Sequence, residues 1–361
     1  MRAENDIARE PIRVGLIVSS DISGGGEQYL YRLYSHLVKD GRVTVDLVGS
    51  LPQWPKVVGA VRPVGRSPKL TRRRGLIFQI FSLVAPMINS YKIAKRKSYD
   101  VIHVQYFKEK LTLPFFLRGL PILWTEHGPL PENFPPGGLR LLARQSRYCS
   151  VVAVSKGVSE SLLSQGISSR VIPNPMPSID VGGVQVERRP PAATSLLFAG
   201  RLHRSKRIEL LIEAARLKPE IQVLIAGDGP DRGYYESISP ENVQFLGLVT
   251  PVLPVVASCS AVVITSGREA REGSPMIMLE ARRLGVPVLI AEDCHAASEA
   301  RELLCTTFYP TGEGLAKVIS DAASLVSQKL PEASLRLRSE KVWADAHYSL
   351  IREICRDGSR S

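Results

Sequence analysis

Short apolar runs alternate with segments of helical periodicity along the whole chain. The runs of the first half predict five strands, at Arg13–Ser19, Val43–Val48, Val101–Val104, Pro121–Thr125 and Ser150–Val154. Those of the second half predict five more, at Ser195–Ala199, Gln222–Ala226, Val243–Leu246, Ala261–Thr265 and Pro287–Ala291. Helices are predicted at Glu27–Lys39, Leu76–Lys97, Ser155–Gln165, Ile208–Lys218 and Pro275–Leu284. Continuous apolar runs are typical of parallel strands covered on both faces, so we predict an α/β protein with two parallel sheets.

A proline- and glycine-rich stretch divides the two series of strands. Pro173, Pro175 and Pro177 are followed by Gly182-Gly183 and Pro190-Pro191. Such a composition is typical of a connection between domains. We therefore predict a first domain over residues 1–177, a linker over 178–194 and a second domain over 195–335. The apolar spacing near the end of the chain predicts a further helix, at about 340–357.

The composition fits two globular domains and gives no sign of a membrane span. A length of 361 residues is enough for two cores, and 44% apolar with 23% charged residues is an ordinary globular composition. The most apolar segment, Gly75–Ala94, is interrupted by polar residues and by Pro86, so it predicts a buried or interfacial helix. No secretory signal is visible, and five scattered cysteines are typical of reduced thiols, so we expect a cytoplasmic protein.

The net charge of +12 lies entirely in the first half of the chain. Residues 1–180 contain 25 basic and 13 acidic residues, whereas residues 181–361 contain 22 of each. Between Gln53 and Tyr99 there are 11 basic residues and no acidic one. This favours an anionic partner, such as a phosphate-bearing acceptor or the inner face of the membrane, although a solvated surface explains it equally well. No nucleic-acid partner is expected, because the cluster Arg72–Arg74 lacks interleaved aromatic residues.

The loop after the first strand of each domain is a candidate for binding an anion. Gly24–Gly26 precedes the first helix, where backbone amides can approach a ligand closely, although a structural turn explains it as well. In the second domain, Arg201 and Lys206 stand in the corresponding loop, five residues apart. Arg binds phosphate oxygens through two N–H groups and Lys as a point charge, so this loop suits a diphosphate.

The segment Glu272–Glu280 is the most informative in the chain. Ser274 is predicted to be the N-cap of a helix and Pro275 its first residue. Glu272 then lies in the loop before the helix, beside amides that can hold phosphate, and its carboxylate could bind sugar hydroxyls. Glu280 lies about 9 Å from Ser274 by helical rise, where it could reach a ribose diol of the same ligand or pair with a neighbouring arginine.

Two histidines stand in or just after predicted strands of the first domain. His127 follows the strand Pro121–Thr125, and His103 lies within Val101–Val104. The carboxyl ends of parallel strands are where α/β sheets bind their ligands. Both histidines are therefore candidates for a site, although a lone histidine is more often structural.

Together these segments resemble the retaining family 4 glycosyltransferases of the GT-B fold, in which two Rossmann-like domains face each other across a cleft. In the first domain the matching segments are Gly24–Glu27, Asp100–His103, Thr125–Gly128, Val154-Ser155 and Ile172–Asn174. In the second domain they are Gly200-Arg201 with Lys206, Gly227–Pro230, Val243–Gly247 and the pair Glu272 and Glu280. The resemblance extends over nearly the whole chain, and the order of the segments makes it specific.

The resemblance implies a nucleotide-sugar donor bound mainly by the second domain, with a UDP-sugar slightly favoured over a GDP-sugar. Arg201 and Lys206 would neutralise the diphosphate, with the backbone of Gly25 and Gly26 close to it. Glu280 would bind the ribose. The residues implied in binding the sugar are Glu272, Gly273, Ser274, Pro275 and Met276.

The resemblance also implies a transfer that retains the anomeric configuration. His127 and Glu272 would be the catalytic residues, and the acceptor oxygen would lose its proton to the departing phosphate. No metal or other cofactor is implied. His103 and Asn174 are candidates for the acceptor side, and the acceptor would be a hydroxyl compound, anionic or linked to a lipid. The C-terminal helix would cross back onto the first domain, so that domain closure gates turnover.

This sequence departs from the family pattern at a few positions. Arg207 stands where a glycine usually follows the lysine, and Pro175 stands where a glycine is usual. Gln105 replaces a second histidine, and the loop Gly267–Arg271 is unusually charged. None removes a principal donor contact, but Arg207 and Gln105 could alter the choice of donor or acceptor.

Other functions stay open at this point. A sugar-nucleotide epimerase or an inverting transferase of the same fold would use a similar donor with different chemistry. A two-lobed protein without catalytic activity would bind a sugar or another anion. A nucleic-acid-binding protein would use the basic first half, and its binding would depend steeply on salt.

Overall fold

The computed structural model describes residues 10–20, 24–52, 54, 58–63, 88–96, 99–131, 136–181, 183–189, 191–321, 325–326 and 328–358. The cluster Arg72–Arg74 and most of the basic stretch from Gln53 to Tyr99 lie outside these residues. The predicted helix Leu76–Lys97 lies inside them only over 88–96, which is helical.

The first sheet contains seven parallel strands in the order β3-β2-β1-β4-β5-β6-β7. Its strands are β1 Ile12–Ser19, β2 Val43–Ser50, β3 Gly59–Arg62, β4 Val101–Val104, β5 Ile122–Glu126, β6 Ser150–Ala153 and β7 Arg170–Val171. The helices are α1 Gly25–Lys39, α2 over 88–96, α3 Phe107–Phe116, α4 Pro136–Ser146 and α5 Lys156–Leu163. The order 3-2-1-4-5-6 within this sheet is that of a Rossmann domain.

The second sheet contains six parallel strands in the order β12-β11-β10-β13-β14-β15, again the Rossmann order. A small antiparallel pair, β8 Asp180–Val181 and β9 Val184–Gln185, precedes it. The strands of the sheet are β10 Ser195–Ala199, β11 Gln222–Ala226, β12 Val243–Gly247, β13 Ala261–Ile264, β14 Val288–Ala291 and β15 Thr306–Phe308. The helices are α6 Glu209–Leu217, α7 Arg232–Ile238, α8 Leu253–Ser258, α9 Met276–Arg283, α10 Ala297–Glu302, α11 Gly312–Ser320, α12 Glu332–Leu337 and α13 Glu340–Gly358.

The predicted class, α/β with two parallel Rossmann-like sheets, is confirmed. The central strands β4 and β13 are buried at every residue, which explains their continuous apolar runs. Besides the small pair β8 and β9, three strands of the two parallel sheets were not predicted: β3, β7 and β15. Each lies at an edge of its sheet, where one side has no neighbouring strand, and each is too short or too exposed to form an apolar run.

The C-terminal helix α13 packs against the first domain. Trp343, Leu350 and Ile351 are buried in the core of that domain. Outside the core, Arg42 pairs with Asp345 on α13. The chain thus passes from the second domain back to the first after residue 338. Among the described residues, none of the helices is long and apolar enough to cross a membrane.

Two histidines are fully buried in the core of the first domain. His103 Nδ1 lies 2.7 Å from Tyr34 Oη, and His103 Nε2 lies 2.9 Å from Thr125 Oγ1. His347 Nδ1 donates to the carbonyl of Trp343 at 2.9 Å, so its Nε2 is free to accept from Tyr29 Oη at 2.5 Å. Burial lowers the pKa of His347 to about 4 and the pKa of His103 well below its usual value, so both stay neutral in the folded protein.

The buried histidines predict a loss of stability in mild acid. Below about pH 6.5 the unfolded chain protonates both imidazoles, whereas the folded chain does not. Each of these two histidines should therefore contribute a fall of about 1.4 kcal/mol per pH unit to the free energy of unfolding, between about pH 6.5 and pH 4. Thermal unfolding measured across this range checks the slope.

His347→Gln should make the acid slope less steep by about 1.4 kcal/mol per pH unit, because the contribution of this one group is gone. His203 is exposed, so His203→Gln is the matched control and should leave the slope unchanged. A slope in His347→Gln equal to that of the original protein would mean that His347 already protonates in the folded state.

Candidate active site

The two domains enclose a cavity of about 850 Å³ at the carboxyl ends of their strands. The first domain lines it with the glycine loop Gly24–Gly26 and with residues after β4 and β5. The second domain lines it with loops after β10 and before α9. The proposed site residues that line this cavity are Gly25, Gly26, His127, Asn174, Arg201, Lys206, Glu272, Gly273, Ser274, Pro275 and Met276.

Glu280 lines a second cavity of about 620 Å³ that continues from the first. Gly200, Arg201 and Ile277 line both cavities. Burial raises the pKa of Glu280 to about 7, because a carboxylate loses favourable hydration in this position. The two cavities together form one extended space, with Arg201 at the junction.

Lys206 and Glu272 form an ion pair inside the main cavity. Both side chains are about one-fifth exposed, so water screens the pair less than it screens a surface pair. Lys206 ends a 3-10 turn, Arg204–Lys206, and its carbonyl accepts a hydrogen bond of 2.5 Å from Thr265 Oγ1. The loop after β10 therefore fixes the ammonium group against the carboxylate from the loop before α9.

The backbone conformation at Arg207 explains why a glycine is usual at this position. Its backbone has a φ of 48°, in the left-handed region that favours glycine. The guanidinium group makes two hydrogen bonds to Asp293, at 2.8 and 2.6 Å, and one to the carbonyl of Thr265 at 3.0 Å. These bonds stabilise the otherwise strained backbone. Arg207 lines neither cavity, so it braces the loop and does not contact a ligand there.

The loop before α9 contacts the first domain directly. Ser155 Oγ donates to the carbonyl of Gly273 at 2.8 Å, and Asn174 Nδ2 donates to that of Ser274 at 3.3 Å. Arg271 Nε donates to the carbonyl of Pro129 at 2.6 Å. Asn174 thus lines the cavity, but its amide nitrogen holds the loop before α9.

The predicted cap of α9 is wrong by one residue. The N-cap is Pro275, with extended backbone at φ −63° and ψ 126°, and no side chain caps the helix. Ser274 lies one residue farther from the helix than an N-cap, so its hydroxyl does not bond to the first helical amides. The helix begins at Met276, and residues 273–277 still line the cavity.

His127 reaches the cavity from the end of β5. Its Nε2 atom is buried and makes no hydrogen bond to the described residues, and its ring lies edge-on to Tyr29 with 4.6 Å between centroids. Burial lowers the pKa of His127, so the imidazole is neutral near pH 7. A neutral imidazole can exchange hydrogen bonds with a ligand but supplies no positive charge.

A chain of aromatic contacts links His127 to the C-terminal helix. Tyr29 lies against the His127 ring and also against Trp343, with 4.9 Å between centroids. The hydroxyl of Tyr29 bonds to His347, as described above. Trp343 and His347 of α13 therefore fix the ring of Tyr29, which in turn positions His127.

His103 is not part of the cavity, which corrects its interpretation as an acceptor-side residue. It is fully buried, and both ring nitrogens have partners in Tyr34 and Thr125. Its side chain points from β4 toward α1 rather than toward the cleft. His103 is therefore a structural residue of the first-domain core.

Three residues that line the cavity, Gln105, Lys110 and Glu126, were not among the site residues predicted from the sequence. Lys110 is 2% exposed, and its ammonium group lies 2.8 Å from Glu126 Oε2, which also accepts from Trp124 Nε1 at 3.2 Å. Gln105 Nε2 donates to the carbonyl of Gly26 at 3.1 Å and so holds the glycine loop. Glu126 lies beside His127 in the segment Thr125–Gly128, which could have suggested Glu126 as a site residue. Lys110 stands in no motif.

The charged residues of the cleft form no metal site in the part of the chain that the structure describes, where no three His, Cys, Asp or Glu side chains cluster. The fixed charges of the cavity are instead cations and carboxylates in pairs, as in Lys206–Glu272 and Lys110–Glu126. With amides 273–277 nearby, this set suits an anionic ligand.

Two family descriptions match the chain, one in each domain. Residues 23–177 match Glycosyltransferase Family 4, and residues 193–323 match Glycosyl transferases group 1. Among curated proteins, none matches the chain.

Solved structures of low sequence identity share the whole architecture. Sucrose-phosphate synthase from Thermosynechococcus elongatus is 17% identical with a TM-score of 0.77, over 95% of this chain and 99% of that one. A glycosyltransferase from Rickettsia africae is 16% identical with a TM-score of 0.73, over 96% and 99%. HepE of Anabaena, in complex with UDP and glucose, is 18% identical with a TM-score of 0.65, over 97% and 98%.

At these identities the likeness shows the fold, which is GT-B, as predicted. The family matches cover most of each domain and agree with it. Fold and matches together support a GT-B glycosyltransferase.

Proposed function

We propose that this chain transfers a sugar from a nucleotide-sugar to an acceptor hydroxyl with retention of the anomeric configuration. The observation that carries the proposal is the cavity itself. It brings Arg201 and the Lys206–Glu272 pair against the amides of residues 273–277, opposite a neutral His127. An anion binds on one side of this space, and a sugar fits between it and the imidazole.

The donor occupies both connected cavities in this proposal. Arg201, at their junction, and Lys206 bind the diphosphate, with the backbone of Gly25 and Gly26 facing them. Glu280 accepts hydrogen bonds from the ribose hydroxyls in the second cavity. HepE was solved with UDP and glucose, which supports a nucleotide-sugar and favours UDP over GDP.

The sugar lies between the two domains. Glu272 and the backbone of residues 273–276 bind its hydroxyls, and the unpartnered Nε2 of His127 contacts it from the first domain. The bond from the anomeric carbon to the diphosphate breaks while the bond to the acceptor oxygen forms on the same face. The acceptor proton passes to the departing phosphate oxygen, and the cations stabilise the charge on that phosphate. No metal ion takes part in these steps.

The acceptor reaches this space from the first domain. Asn174 lies at its edge but is engaged with Ser274, so we assign it to positioning the donor loop. His103 takes no part, since it is buried away from the cleft. The basic first domain favours an acceptor that is anionic or linked to a lipid, at the inner face of the membrane in the cytoplasm.

Lys206→Ala and Glu272→Ala should each lower the rate of sugar transfer at least about tenfold, which corresponds to about 1.4 kcal/mol of transition-state stabilisation. Steady-state kinetics with the preferred donor measures this. The surface pair Lys218–Glu220 in the same domain supplies matched controls, since Lys218→Ala and Glu220→Ala should keep full activity. Unchanged activity in both cavity variants would contradict the donor site.

Nucleotide-sugars should raise the melting temperature, with UDP-sugars ahead of GDP-, ADP- and TDP-sugars. A ligand at about 100 times its Kd stabilises the folded state by about 2.7 kcal/mol. Lys206→Ala should remove most of the shift, whereas Lys218→Ala should keep it. If no nucleotide-sugar shifts the transition but an unrelated anion does, the chain is a binding protein rather than a transferase.

The product should carry the anomeric configuration of the donor. Proton NMR of the initial product, before any mutarotation, distinguishes the two anomers. An inverted product would refute the retaining mechanism and leave the donor site intact. Conversion of the donor sugar without transfer would identify an epimerase.

A further inference from the structure

A groove of about 330 Å³ lies between α3 and α4 on the outer side of the first domain. Its lining is mainly apolar and aromatic, with Leu111, Phe115, Phe116, Leu141 and Tyr148 among its residues. Phe116 is 59% exposed and Leu141 is 41% exposed, so the rim of the groove presents large apolar side chains to solvent. An apolar surface of this kind marks a site of interaction.

Cations surround the groove. Arg144 lines it, and the guanidinium of Arg118 lies 4.5 Å from the centroid of the Phe115 ring. Arg140 and Arg147 are exposed on and just after α4. Lys95 of the neighbouring α2 reaches the turn after α3. We call this surface, the groove with these five cations, the α3–α4 face.

The α3–α4 face has no exposed carboxylate to oppose these charges. Among the described residues of α2, α3 and α4, the only acidic one is Glu109. It is 6% exposed and lies 3.6 Å from Lys108. The charge of the face is therefore one-sided, and it complements an anionic partner with an apolar part.

We propose that the α3–α4 face docks on an anionic lipid bilayer. Protruding Phe and Leu side chains can enter the boundary between headgroups and acyl chains, while surrounding arginines bind lipid phosphates. Long basic side chains keep their charges in the headgroup layer as their stems lie along apolar surface. Nucleic acid fits this face poorly, because the groove is mainly apolar and the Phe115 ring is already covered by Arg118.

Helix α3 connects this face to the cavity between the domains. Phe107 and Lys110, in its first turn, line the cavity, whereas residues 111, 112, 115 and 116 line the groove. The rise of the helix from Lys110 to Phe116, six residues farther on, is about 9 Å. A bilayer on the α3–α4 face therefore places lipid-anchored hydroxyl compounds within reach of the cleft. This last step rests on the proposed function, whereas docking itself does not.

The test is sedimentation of the full chain with vesicles. Vesicles of phosphatidylcholine mixed with phosphatidylglycerol should bind the protein, vesicles of phosphatidylcholine alone should not, and added salt should weaken binding. Two double variants, Phe116→Ser with Leu141→Ser and Arg140→Gln with Arg144→Gln, should each reduce the bound fraction about tenfold. The arginine pair is exposed, so its replacement leaves the core intact.

The matched control lies on α6 of the second domain. Arg216→Gln with Leu217→Ser removes one cation and one apolar residue, of which Leu217 is 52% exposed, and should leave vesicle binding unchanged. No binding of the original protein to mixed vesicles would overturn the proposal. If both double variants bind mixed vesicles as well as the original protein does, the proposal is also overturned, because the contact would then lie elsewhere on the chain.

The thermal shift with a UDP-sugar separates this proposal from the proposed function. The groove variants should keep the full shift while losing vesicle binding, since Phe116, Leu141, Arg140 and Arg144 lie outside both donor cavities. A protein that binds vesicles through this face but shows no shift would retain the docking surface and lose the donor assignment.

Discussion

The site depends on the close approach of two backbone segments from different domains. Residues 127–129 of the first domain lie directly against residues 271–274 of the second. A side chain at Gly128 would meet the carbonyl of Arg271, and one at Gly273 would meet the carbonyl of His127. Only glycines allow this contact. It sets the width of the cleft, and it therefore decides whether His127 and the Lys206–Glu272 pair line the same space.

Burial determines which side chains of the cleft carry a charge. The imidazole of His127 stays neutral, because hydration lost on burial disfavours its charged form. Positive charge comes from cations that line the cavity, among them Arg201 and Lys206, which would face the phosphates of the proposed donor. Lys206 is held by Glu272, so an incoming ligand meets a cation already fixed in place. Such preorganisation is what makes electrostatic stabilisation of a departing phosphate effective.

The sequence predicts the elements that have a continuous apolar pattern. It does not predict the side-chain directions and contacts that depend on how these elements pack. The buried central strands, and the loops that follow them, are evident from their apolar runs. His103 shows the limit. Its strand β4 is covered on both faces, so no alternation tells which side chains point toward the cleft and which toward α1. The cap of α9 shows another, because the extended backbone of Pro275 moves the helix start by one residue. Lys110 shows a third, since only packing brings it to Glu126.

Sequence motifs therefore describe the two sides of the site unequally well. The second-domain half consists of loops, such as the one before α9, in which several site residues lie close together in sequence, so a motif can describe it. The first-domain half is built on helices: α1 supplies Tyr29, α13 fixes that ring through Trp343 and His347, and α3 runs from the cavity to the outer groove. Helical side chains that meet across a core have no fixed spacing in the sequence. A side chain from these helices can therefore be assigned to the site only once the fold is known.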